Sequence, residues 1–246
     1  MSQGHVLVVG ATSGIGAAVA DHLESLGWRA SRFGRRASGQ NAFQCDVTDD
    51  ASVSSAFADA AETMGEPRAL VYCAGAAAFG RTASIPKSDA RACLEANFWG
   101  LDRCVREVLP SFERRGSGQV VAVLSVASQV GIAFEAYYAA SKAAAQRYLD
   151  CLRVELEPAG VRVRYLCPGH VATGFYERAS WYGREPSAVQ GSGVTVDFIG
   201  AAVGQILAGG EVDPVLGWRE RLVTAGNRLV PGLYERWQIF RNKGSG

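Results

Sequence analysis

Tyr138 is followed four residues later by Lys142. On a helix, residues four apart share one face, one turn above the other. A phenol and an ammonium group placed side by side can do acid–base chemistry. The phenol ordinarily titrates near pH ~10, and a close positive charge favours its ionised form. A downward shift of about 2–3 units takes roughly 3–4 kcal/mol of differential stabilisation. Such pairs also occur on solvated helix faces, so the elements around this one must supply the context.

A helix over residues 137–157, bounded by Pro158, would carry the pair. At the other end of the chain, the apolar run Val6, Leu7, Val8 and Val9 reads as a buried parallel strand. It runs into a loop with Gly10, Gly14 and Gly16, filled in by Thr12, Ser13 and Ile15, and then into a helix stopped by Gly27. Strand, glycine loop and helix in that order form a phosphate cradle. Glycine lets the backbone approach the ligand, and the helix start offers N–H groups and a positive dipole end to a pyrophosphate. A second strand over 28–33 ends in Gly34, Arg35 and Arg36, with no acid at the turn. An acid there would bind a ribose hydroxyl, whereas guanidinium groups clamp a 2′-phosphate. NADP(H) is therefore the expected cofactor, with NAD(H) possible.

Further strands are expected over 42–45, 69–73, 119–124 and 161–166, with helices capped by Asp49 or Asp50, over 88–113 and over 196–207. The link between the second and third strands is too short for a crossover helix. Alternation of strands and helices predicts an α/β fold of the Rossmann type: one doubly wound parallel sheet with helices on both faces. The expected organisation is a single NAD(P)-binding domain over 1–243, with a substrate lid over 170–196, a C-terminal extension over 226–243 and a short tail over 244–246.

The 246 residues are 48% hydrophobic and 20% charged with a net charge of +1, which suits a globular protein and offers no basic field to nucleic acid. Six cysteines, none spaced Cys-x-x-Cys, imply no disulfide framework and fit a reducing cytoplasm. His5, His22 and His170 lie far apart, so no metal site is expected. The start of the chain reads as a strand and not as a signal peptide, and no apolar run has the length of a membrane span.

Glycine loop, alternating α/β pattern and Tyr-x-x-x-Lys together resemble the short-chain dehydrogenase/reductase family, in its branch of about 250 residues. The resemblance extends from Val6 to the end of the 196–207 helix. It places an adenine contact at Asp46 and Val47, and a turn after the fourth strand at Ala74 and Gly75. The segment beside the nicotinamide amide falls on Pro168, Gly169, Val171 and Thr173. The catalytic set falls on Asn97, Ser125, Tyr138 and Lys142. Three residues depart from the family pattern: Val9 for a threonine, Cys73 for an asparagine with loss of a local hydrogen bond, and Ser13 where many NADP-preferring members carry a basic residue.

The resemblance implies an NADPH-dependent carbonyl reductase. Tyr138 gives a proton to the developing alkoxide, Lys142 lowers the phenol's pKa and bonds the nicotinamide ribose, Ser125 holds the carbonyl oxygen, and Asn97 holds a relay water. Ser128 reads as a turn residue, and Tyr137, with serine four residues on, points elsewhere. Alternatives are an NAD(P)-dependent alcohol or diol dehydrogenase and a dinucleotide-binding regulator that lacks the chemistry. Ligands of parallel sheets sit beyond the carboxyl ends of the strands. That places Phe79, Val130, Phe134, His170, Phe175, Tyr176, Trp181 and Tyr182 around an apolar small-molecule carbonyl or alcohol substrate. The family implies a homodimer or homotetramer. Near the C-terminus, Leu229, Leu233 and Trp237, with Val230, Tyr234 and Phe240, have helical spacing, flanked by Arg236, Arg241 and Lys243. This stretch fits a helix packed on its own domain or a second subunit, or else a lid edge or membrane-surface helix.

Overall fold

The structure is a computed structural model and describes residues 3–183 and 194–242. The chain begins with β1 (Gly4–Val9), α1 (Gly14–Ser25), β2 (Trp28–Gly34), β3 (Ala42–Gln44), α2 (Asp50–Met64) and β4 (Ala69–Tyr72). Then come β5 (Ala78–Gly80), α3 (Lys87–Leu94), a π-helical turn (Glu95–Trp99), α4 (Gly100–Arg115), β6 (Gly118–Val123) and α5 (Ala136–Leu156). The last elements are β7 (Val161–Pro168), α6 (Phe175–Arg178), β8 (Ser180–Tyr182), α7 (Val196–Leu207), β9 (Val215–Leu216), α8 (Trp218–Leu229) and α9 (Pro231–Asn242).

The main sheet has seven parallel strands in the order β3-β2-β1-β4-β6-β7-β9. Both faces are covered, so the central strands are apolar without alternation; all four residues of β4 are buried. One core layer packs α2, α4 and α5 on the sheet through residues such as Phe57, Leu101 and Leu149. The opposite layer packs α1 and α7 through Val19, Leu23, Ile199 and Val203. Close approach of these two helices depends on Gly200 and Gly204, where a Cβ would meet His22 and Leu26 at 3.1 and 2.9 Å.

Strand order reverses between β1 and β4, because the chain runs outward through β2 and β3 and then returns. This is the crevice where doubly wound sheets hold ligands. As expected from its length, the link from β2 to β3 has no helix.

The structure departs from the sequence reading in four places. The helix expected over 88–113 is split by the π turn, which shifts the phase of the helix and turns Asn97 inward. Within the turn, the Ala96 carbonyl accepts from the Tyr72 hydroxyl at 2.5 Å. The stretch expected to be irregular over 170–196 holds α6 and β8, the latter paired with β5. Part of that expected lid, 184–193, lies outside the described residues. A seventh strand, β9, was not expected, since two residues are too few for a periodic signal. The C-terminal extension begins earlier than expected, at Trp218, and forms two helices divided at Val230 and Pro231.

Candidate active site

The first wall of the crevice is backbone. Gly10 has φ +84°, and a Cβ there would meet the Ala74 nitrogen at 2.6 Å, so the loop after β1 packs directly on the loop after β4. A Cβ on Gly16 would collide with the Gly10 carbonyl. Gly34 is crowded in the same way by Thr12, at 2.6 Å. Every residue expected at the dinucleotide, from Gly10 to Thr173, borders one continuous cleft. The glycine cradle and the polar backbone beside it suit a pyrophosphate. Just after β3, Asp46 is held as the acceptor of the Thr48 amide and hydroxyl at 3.0 and 2.8 Å. Arg35 and Arg36 are exposed on the cleft wall; among the described residues neither is in a salt bridge, and the Arg35 charge acts on Asp46. By contrast Arg32, on β2 just before them, is tied to Asp21 and Glu24.

The second wall is the carboxyl end of β6 with the start of α5. Tyr138, Ser141 and Lys142 are all buried there. The Ser125 side chain favours the ionised form of the neighbouring Tyr138 phenol, and its oxygen accepts from the Ala127 amide at 3.2 Å. Lys142 Nζ lies 6.0 Å from the centre of the Tyr138 ring and donates to the Val123 carbonyl at 3.2 Å.

The electrostatics differ from the sequence expectation. Burial pushes the Tyr138 phenol well above its ordinary range, with Ser125 pulling it partly back. Burial also lowers the Lys142 ammonium, to about 8. Desolvation disfavours both charged forms. Tyr138 is therefore a protonated acid in this state, and not a phenol poised to ionise.

The Asn97 side chain is held by three hydrogen bonds. Its amide nitrogen donates to the Ala76 carbonyl and to Ser141 Oγ, both at 2.8 Å, and its oxygen accepts from the Ala76 amide at 3.0 Å. Both amide hydrogens are thus engaged. Asn97 clamps the loop after β4 to α5, and its oxygen retains one lone pair for a water. Ser141, which the sequence reading passed over, completes the clamp by donating to the Tyr138 carbonyl at 2.7 Å. Its signal was its place inside the Tyr-x-x-x-Lys motif.

The third wall is aromatic. Phe79, on β5, meets the Tyr138 ring edge-on at 5.6 Å, stacks on Tyr176 at 5.6 Å and touches Trp181 at 4.7 Å. Phe175 packs 5.9 Å from Tyr138 on its other side. The His170 ring sits 4.4 Å from that of Tyr176, and burial lowers its pKa. Of the eight residues expected around the substrate, Phe175 and Tyr176 border the cleft, while Phe79 and Trp181 stand behind them as support. Val130 is buried, and Phe134 adopts a left-handed φ of 70° with its carbonyl accepting from Gly80. Tyr182 is turned away; its hydroxyl donates to Asp89 at 2.5 Å, in a separate cluster that also takes in Tyr137. Ser128 is a turn residue whose hydroxyl donates to the Ser125 carbonyl at 2.6 Å.

Two charged residues near this wall were not foreseen. Arg178 borders the cleft from α6. Glu135 precedes α5, and burial raises its carboxyl to about 7. Neither has a periodic signal that would have singled it out.

Residues 4–181 match the family model described as short chain dehydrogenase. The chain belongs to that family. It is 32% identical over 188 residues to dehydrogenase/reductase SDR family member 7B of Danio rerio, a match covering 68% of this chain and 61% of that protein. It thus spans about three fifths of the length of that relative. A short-chain dehydrogenase from Streptomyces avermitilis superposes with a TM-score of 0.82 at 26% identity, covering 97% of this chain and 98% of that one. One from Burkholderia cenocepacia, solved in complex with NADP, gives 0.80 at 26% identity, covering 96% and 97%. Among the described residues, no helix is long and apolar enough to cross a membrane.

Proposed function

We propose that this chain is an NADPH-dependent carbonyl reductase acting on an apolar ketone or aldehyde, with Tyr138 as the proton donor. The observation that carries the reading is the buried Tyr138 phenol, lining the cleft with Ser125 and Lys142 where the glycine cradle meets the aromatic wall.

The dinucleotide, when bound between the glycine loop and the loops after β4 and β7, supplies the hydride that adds to the carbonyl carbon. The chain's own residues manage the oxygen. Ser125 donates to it and fixes its position, so that the developing negative charge meets a preorganised donor. Tyr138 then gives up its proton. A phenol with a raised pKa remains fully protonated until an alkoxide, a much stronger base, forms beside it. Lys142 provides a positive charge near the resulting phenolate, and it holds that charge below about pH 8. Asn97 and Ser141 keep Tyr138 in place through the clamp described above. Preference for NADPH is supported by Arg35 and Arg36, two exposed cations on the cleft wall.

Phe79, Phe175, Tyr176 and Trp181 suit an apolar substrate and keep water from the reacting oxygen. Six unpaired thiols suit a reducing cytoplasm. Exposed Trp99, beside α4, and Val154, on α5, support a homodimer or homotetramer formed through these helices.

The test is dinucleotide oxidation across a panel of aldehydes and ketones of graded polarity, with NADPH and NADH in parallel. Turnover with apolar carbonyls and NADPH is expected. Absence of turnover across the panel, with NADPH still bound, would favour a dinucleotide-binding regulator.

A further inference from the structure

We infer that the α8–α9 hairpin is a docking surface for anionic lipid, holding the protein on a membrane face without spanning it. The amphipathicity of the hairpin is inverted relative to a helix packed on a core. Three of its polar side chains bond back to the domain. Arg221 donates to the Val215 carbonyl at 2.9 Å, Asn227 to the Gln129 carbonyl at 3.3 Å, and Tyr234 to the Gly131 carbonyl at 3.2 Å. Its apolar groups face solvent. On α8, Trp218, Leu222, Ala225 and Leu229 follow at spacings of four, three and four, and all are exposed. On α9, Leu233, Trp237 and Phe240 repeat the pattern at 66%, 47% and 78% exposure. Eight of the twelve large hydrophobic residues exposed on the described chain fall between Trp218 and Phe240, so this is a concentrated patch and not scattered exposure.

Charge decides what covers it. From Trp218 to Lys243 the sequence has six basic and two acidic side chains, a net +4, whereas the whole chain carries +1. The remainder therefore carries −3. A second copy docking through the same patch would bring two net-positive faces together. An anionic bilayer answers both features at once. Tryptophan, phenylalanine and leucine enter the headgroup boundary, and the flanking arginines meet lipid charge. Arg219, Arg228 and Arg236 are exposed on the two helices. This inference is independent of any turnover, because its readout is binding.

The experiment is flotation of the full chain with phosphatidylcholine vesicles, and with vesicles containing about one third phosphatidylglycerol, at low salt and in about 1 M salt. Binding is expected only to the anionic vesicles and is expected to fall in high salt. Arg228→Gln and Arg236→Gln are each expected to weaken it about fivefold. Leu229→Gln, Leu233→Gln and Phe240→Gln combined are expected to weaken it more than tenfold, with the melting temperature unchanged because these side chains are exposed. Three outcomes overturn the inference. They are no binding to anionic vesicles at low salt, tighter retention by duplex DNA than by vesicles, and a homo-oligomer that the triple substitution dissociates while vesicle binding is absent. If the triple variant fails to fold, the two arginine variants still decide the matter.

Discussion

The two sides of the cleft are built on different principles. The side formed after β1, β2 and β4 is made of backbone. Its shape depends on Gly10, Gly16 and Gly34, each where a Cβ would overlap a neighbouring loop. The side formed after β5, β7 and α6 is made of rings, with Phe79 at its centre touching Tyr138, Tyr176 and Trp181. A backbone wall tolerates almost no added atom, because close packing leaves no slack. A ring wall can be reshaped one side chain at a time while the fold persists. The first side therefore has a fixed shape, and the second can be altered without loss of the fold.

This contrast predicts a graded response. The largest effect is expected from Gly16→Val, which places carbon atoms on the Gly10 carbonyl. Dinucleotide affinity, read by fluorescence titration, is expected to drop about a hundredfold or more, through loss of several charge-assisted hydrogen bonds. Affinity within a few-fold of wild type would break the backbone half of the comparison. Next comes Arg35→Gln with Arg36→Gln. The ratio of NADPH to NADH affinity is expected to fall about ten- to a hundredfold, with NADH binding little changed. An equal loss for both cofactors would assign the arginines to the shared part of the dinucleotide. On the ring wall, Trp181→Ala is expected to raise the KM for an apolar carbonyl about three- to tenfold and leave NADPH affinity alone. A change in cofactor binding would mean that the two sides are not separable.

The smallest expected effect is on stability and depends on pH. Glu135 has its carboxyl raised from 4.5 to about 7 by burial. Between those values the folded chain holds this proton more tightly than the unfolded chain, so stability falls as pH rises from about 4.5 to about 7. Because the residue retains partial solvent contact, Glu135→Gln is expected to add only about 1–2 kcal/mol at pH 8 and almost nothing at pH 4. Equal melting shifts at both pH values would show that Glu135 does not titrate in the folded protein.

The same contrast explains what could be read from the sequence. The glycine cradle was legible because its requirement is local: a strand, three glycines at fixed spacing and a helix start. Tyr138 and Lys142 were legible as a pair for the same reason, since helical spacing fixes their common face. Their pKa values were not, because desolvation depends on what covers them, and Phe79 and Phe175 reach Tyr138 from distant positions in the chain. The π turn at Asn97 was hidden for a related reason. Nothing in Glu95, Ala96, Asn97, Phe98 and Trp99 departs from helical composition, and the extra residue is stabilised from outside by the Tyr72 hydroxyl. The β5–β8 pair escaped notice because each strand has three residues and they lie about a hundred positions apart. The outward apolar stripe on α8 and α9 could be suspected from spacing alone, but only the positions of Asn227 and Tyr234 fix which way it faces.

The central claim is that Tyr138 is the proton donor. Its most direct test is the turnover of Tyr138→Phe beside that of Tyr137→Phe, each with NADPH binding measured on the same sample. Tyr137 is the adjacent phenol, facing the separate cluster around Ile85 and Cys93. The account predicts that Tyr138→Phe loses about a thousandfold in kcat with NADPH still bound, and that Tyr137→Phe stays within a few-fold of wild type. Turnover by Tyr138→Phe within a few-fold of wild type would contradict it.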